Sequence, residues 1–137
     1  MLARVLFAAV FLVNAAGLSG AFADVVRLMG AKGLPAPAPL LALIILAWVV
    51  GGMSLLAGFR VRLAATTLAL LMVPVTLGMH SPWTADATSF QNELNHFLKN
   101  IGFIAGLLCL AAAPPGLLAA DARRGGDRAV LPQRVAG

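Results

Sequence analysis

Residues 39–59 read PLLALIILAWVVGGMSLLAGF, an unbroken apolar run without a charged side chain. A helix needs about 20 mostly apolar residues to cross the hydrocarbon of a bilayer. Strands of a membrane barrel would instead alternate apolar and polar positions. The run therefore reads as a transmembrane helix, and it sets the class of the whole chain. Working outward, three further runs qualify: about 2–23, interrupted by Asn14, and the shorter 63–79 and 97–113. The expected fold is all-α, a membrane-embedded four-helix bundle over 1–113. A basic tail, 114–137, follows Pro114-Pro115-Gly116.

Composition supports that class. Of the 137 residues, 61% are hydrophobic and only 11% charged, whereas a soluble domain carries about 25% charged residues. Tyrosine is absent and aromatics make up 7%, so a base-stacking platform for nucleic acid is not expected. The single cysteine, Cys109, lies in an apolar run. It can form no CxxC motif and no intramolecular disulfide, and it is expected to pack as a small hydrophobe.

The connections carry the polar residues. Between spans one and two lie Asp24, Arg27, Lys32 and the breaker Gly33-Leu34-Pro35, with Val25, Val26, Leu28 and Met29 spaced for a short interfacial helix. Arg60 and Arg62 flank a tight turn. His80 to His96 is a longer polar segment. Four crossings place Arg4, Arg60, Arg62, Arg123, Arg124, Arg128 and Arg134 on one side, against Arg27, Lys32 and Lys99 on the other. Seven basic residues against three predict that both termini are cytoplasmic. The net charge of +5 is then a topology signal, with attraction to anionic lipid as its secondary effect. A rival reading takes Arg4, the first apolar run and Ala21-Phe22-Ala23 as a cleavable signal peptide.

Small residues mark where helices can approach in lipid: Gly17 and Gly20 in span one, Ala47, Gly51, Gly52, Ser54 and Gly58 in span two, Gly102 and Gly106 in span four. These faces serve packing within the bundle, self-association or other membrane subunits. Pro74 frees a carbonyl in span three, and Thr67 and Thr76 are its candidate partners.

The candidate site lies at the non-cytoplasmic face. His80 ends span three, Trp83 follows, and Asn92, His96, Lys99 and Asn100 recur at helical spacing on one face. Glu93 lies within reach of His96. Lys99 and Asn100 fall inside the apolar boundary, where an ionisable group is a functional-site hypothesis; the plainer reading is a snorkelling lysine. Trp83 suits the interfacial aromatic belt. Two histidines without a Cys or carboxylate spacing motif do not define a metal or haem site, so none is assigned. A quinone headgroup, bonded by His96, Asn92 or Asn100 beneath an apolar lid, is the cofactor candidate.

Several stretches together resemble the DoxX family of small bacterial membrane proteins. They are Phe11-Leu12-Val13, Lys32-Gly33-Leu34-Pro35, Gly51-Gly52 with Leu55-Leu56-Ala57-Gly58-Phe59-Arg60-Val61-Arg62, His80, Trp83, residues 91–100 and Asp121-Ala122-Arg123-Arg124. The resemblance implies a four-helix bundle in the bacterial inner (plasma) membrane and favours an uncleaved first span. It also implies a link to quinone-dependent thiosulfate oxidation or to complexes that detoxify radicals and thiols. Two departures stand out. Family members often carry a lysine late in span one, where this chain has Leu18 to Gly20, and a glutamate before the paired glycines, where it has Trp48. The leading expectation is an accessory subunit of a membrane redox complex, partnered by other subunits and by lipid, not nucleic acid. The alternatives are a quinone-linked oxidoreductase subunit and a small transporter.

Overall fold

The computed structural model describes residues 1–113. The tail 114–137, with Asp121 and the arginines beyond it, lies outside the described residues. Every long element is a helix: α1 (Leu2–Gly20), α2 (Phe22–Ala31), α3 (Pro37–Ala57), α4 (Val61–Met79) and α5 (Phe90–Ala112), with a 3-10 turn at Pro82–Thr84. Four of them, all but α2, are long and apolar enough to cross a membrane. They run up, down, up and down, so Met1 and Ala113 share one end and α2 caps the other. Exposed Leu43, Leu46, Val50, Leu63, Leu70, Leu98 and Leu108 clothe the outside. Lipid makes such a surface stable, because acyl chains are as apolar as leucine.

Boundaries moved where local chemistry overrode hydropathy. Span one was expected to reach residue 23, but the helix stops at Gly20 and a new one begins at Phe22. The interfacial helix expected around residues 25–29 is therefore longer, a full α2. The apolar part of span four was expected from about 97 on a helix starting near Gln91, and α5 starts at Phe90. The carboxylate of Asp86 starts it, accepting hydrogen bonds from the amides of Thr88 (3.0 Å) and Ser89 (2.8 Å). Its first two turns are polar and extend past the apolar core.

Two Schellman closures set the turns at opposite ends of α3. In the first, Gly33 donates to the Gly30 carbonyl and Leu34 to that of Met29; in the second, Gly58 donates to Leu55 and Phe59 to Ser54. Both glycines adopt left-handed backbone, at φ 77° and 69°. The Gly33 closure ends α2 and folds Leu34 back onto Gly78 of α4.

The core gathers Ala8 and Phe11 of α1, Leu55 of α3, Ala65, Leu68 and Met72 of α4 and Leu107 of α5. α4 is the most enclosed span and α5 the least. Close approach runs through the paired glycines. A Cβ on Gly51 would stand 2.7 Å from the fully buried Leu68, and one on Gly52 3.0 Å from Leu12. Gly51 thus seats α4 against α3, and Gly52 seats α1 against it. Arg4 is buried on the same α1 face as Ala8, Phe11 and Ala15, and its Nε has no partner among the described residues. Cys109 did not pack inward; it is exposed on α5. Thr76 does not supply the hydroxyl partner proposed for the Pro74 break, since its Oγ1 is buried without a hydrogen bond among the described residues.

The glycines separate two predictions. Gly51→Ala must displace a buried leucine and should cost about 1–3 kcal/mol. Gly102→Ala meets open space and should leave stability unchanged or slightly raised through helix propensity. Thermal unfolding midpoints of the two variants in mild detergent, each against the parent, check this contrast.

Candidate functional site

At the α2 end the four spans part around a cavity of about 450 Å³. Each helix contributes residues over two turns: Val10 to Leu18, Leu41 to Trp48, Met72 to Met79 and His96 to Phe103. Seven positions at 1.5 Å rise make the cavity roughly 10 Å deep. Val25 and Met29 of α2 cover it. The walls are apolar, and the polar groups are few: Asn14, His80, His96, Lys99, Asn100 and the Trp48 indole. An apolar cleft of this volume with a few convergent polar groups is the usual form of a small-molecule site.

The two histidines form its polar rim. Their rings stack at 5.0 Å with 11° between planes. Each is oriented by a charged neighbour through Nδ1. The Nδ1 of His80 donates to Glu93 Oε2 at 3.3 Å, because a carboxylate only accepts. Lys99 Nζ donates to Nδ1 of His96 at 3.0 Å, because an ammonium only donates. These bonds assign opposite tautomers to the neutral rings. His80 keeps an acceptor lone pair on Nε2, and His96 carries a proton there. The rim thus offers one acceptor and one donor side by side.

Glu93 ties the rim to the lid. Its second oxygen lies 3.8 Å from Lys32 Nζ, the C-cap residue of α2. One carboxylate therefore joins α2, α4 and α5. Outside the spans, Asp86 steadies the approach to α5. The Thr88 hydroxyl first, then the Ser89 hydroxyl and amide, hold its carboxyl at about 2.

At the floor, Trp48 packs edge-on against Phe11, with centroids 5.6 Å apart. Its Nε1 is buried without a hydrogen-bond partner among the described residues. A buried N–H left unpaired costs free energy, so an acceptor in the cavity would find a donor waiting.

Of the six residues singled out from sequence, His80, His96, Lys99 and Asn100 line the cavity. Trp83 and Asn92 do not. Trp83 is 62% exposed and sits edge-on to Phe97 at 5.7 Å; Asn92 is exposed one turn beyond the rim. Glu93, expected to reach His96, serves His80 and Lys32 instead. Sequence reasoning missed Lys32, Asn14 and Trp48 as parts of the site. Asn14 had a signal, being the polar residue in the middle of span one.

Loss of the Glu93 joint should free the lid. In Glu93→Ala, amides of Lys32, Gly33 and Leu34 should exchange with solvent hydrogen about three- to tenfold faster, matching an ion-pair contribution of about 1 kcal/mol. Amides around Ala8 to Ala15 in α1 should keep their rates. Hydrogen-exchange mass spectrometry reads both regions in one experiment.

Among known proteins, the DoxX family model matches residues 1–81. That range covers α1 to α4 and His80, and it ends before Glu93, His96, Lys99 and Asn100. No curated protein and no solved structure matches the chain significantly.

Proposed function

This chain belongs to the DoxX family, and on that premise we propose that it is a quinone-binding accessory subunit of a redox complex in the bacterial inner membrane. The observation that supports this reading is the cavity: apolar on its walls, with an acceptor and a donor nitrogen paired at its rim. A quinone ring is flat, apolar on its faces and polar at its carbonyl oxygens. The donor on His96 suits the oxidised carbonyl, and the acceptor on His80 suits the hydroxyl of the reduced form. Asn100 and Lys99 add further donors one turn below His96.

The cysteine content supports the accessory role. A quinone exchanges two electrons and two protons. The lone Cys109 forms no dithiol, so it cannot carry a thiol–disulfide couple. The electrons then come from, or pass to, another subunit, while this chain supplies the hydrogen bonds. With both termini cytoplasmic, as the arginine bias argues, the rim faces the outer leaflet.

Trp48 lines the cavity and Trp83 does not, so Trp83→Phe leaves a fluorophore that reports on the site. A decyl-tailed benzoquinone should quench it saturably. His96→Ala and Lys99→Ala should each weaken binding about tenfold or more, the equivalent of about 1.4 kcal/mol. Affinities equal to the parent in both variants would reject the site. The same protein, with cysteines introduced at Ser81 and Ser54 in a Cys109→Ser background, should be labelled by an impermeant thiol reagent from the periplasm at position 81 only.

A further inference from the structure

The ring of spans is closed at one end and open at the other. Near the termini, Phe7 of α1 fills the notch at Gly106 of α5, where a Cβ would stand 2.6 Å from its ring. Phe7 also meets Phe103 edge-on at 6.2 Å. Two helical turns toward α2, the same faces no longer meet. Seven residues beyond Phe7 on α1 is Asn14; seven residues before Gly106 on α5 is Lys99. A seven-residue step returns to nearly the same side of a helix. Asn14 and Lys99 therefore occupy the positions that would continue the seam, yet both are exposed and both line the cavity.

The lips of this opening are bare. Gly17 lies one turn from Asn14 toward α2 and Gly102 one turn from Lys99 toward the fastening; neither lines the cavity, and a Cβ on either meets nothing within 4 Å among the described residues. The cavity also sets a size limit. A volume of about 450 Å³ holds a substituted ring and the first carbons of a chain, and a long polyprenyl tail exceeds it. The tail must leave, and the open seam leads into the acyl region of the bilayer.

We infer that the seam between the α2-side halves of α1 and α5 is a lateral portal: the ligand passes through it from the lipid, and its apolar tail stays there when the headgroup is bound. This rests on the quinone-site reading and adds the route and the tail's position. Asn14 and Lys99 stand at the threshold. The Asn14 amide is turned onto its own helix, donating to the Val10 carbonyl at 2.7 Å. The Lys99 ammonium is turned along its helix to His96. Each polar end thus keeps a hydrogen bond to its own helix, and their carbon stems border the gap.

The open space at the lips suits the test, because a Cβ at either glycine meets none of the described residues. The full chain with Trp83→Phe is placed in lipid nanodiscs and mixed in a stopped-flow instrument with vesicles carrying decyl-tailed benzoquinone. The double variant Gly17→Phe and Gly102→Phe should slow the quenching of Trp48 about tenfold or more. Its unfolding midpoint should stay that of the parent. Tail-less benzoquinone, which needs no room for a tail, should bind both proteins with similar affinity. Quenching at the parent rate in the double variant overturns the portal while leaving the site intact. Absence of quenching in the parent overturns the portal and the site together.

Discussion

Phe7 in the notch of Gly106 is the contact on which the rest depends. α1 and α5 are the first and last walls of the ring, and they share few contacts. In water an open seam would be closed by the hydrophobic effect. In lipid it is not, because acyl chains solvate the two faces as well as the faces solvate each other. The helices approach where shape permits, at a glycine facing a phenylalanine, and part where it does not. The cavity is what remains inside a ring fastened at one end. Its floor is Phe11, Trp48 and Phe103, stacked directly above the fastening. Core packing and site therefore lie in series along the same four helices, with the small residues Ala8, Gly51, Gly52 and Ala65 below and the polar rim above.

How much of this the sequence disclosed depends on the range of the interaction. Hydropathy is a local sum over about 20 residues, and it located all four spans. Charge bias likewise sums over loops. The α5 helix face was legible because residues 96, 99 and 100 are neighbours through helical periodicity alone. The partner of His80 was not legible, since Glu93 reaches it across a loop whose path is set by Asp86 and the Pro82–Thr84 turn. Lys32 was further still, held in place by the Gly33 closure. Trp83 and Asn92 fall outside the cavity for one cause: at a membrane surface a polar residue on the correct helix face still misses the cavity if it lies one turn too far out. Cys109 failed for the converse reason. In an apolar run within a bilayer, outside is as apolar as inside, so burial does not follow from hydrophobicity.

The cavity also gives meaning to the two departures from the family pattern. The resemblance puts the lysine often found late in span one within Leu18 to Gly20, and the glutamate before the paired glycines at Trp48. Of these positions Leu18 and Trp48 line the cavity, Leu18 at the α2 end and Trp48 at the floor. A glutamate at the floor would be a buried charge that needs a cation, and a lysine on the facing helix could supply one. Replacing one member alone would leave an uncompensated charge, which is far costlier than replacing both. This chain carries neither charge, so the floor is neutral, and the Trp48 indole N–H is its polar group. All remaining charge is gathered at the rim in Lys99, Glu93 and Lys32, each turned to a partner. An uncharged floor with one N–H donor suits a neutral ring that carries an acceptor oxygen, which is what the proposed quinone reading asks of a ligand fed from the bilayer interior.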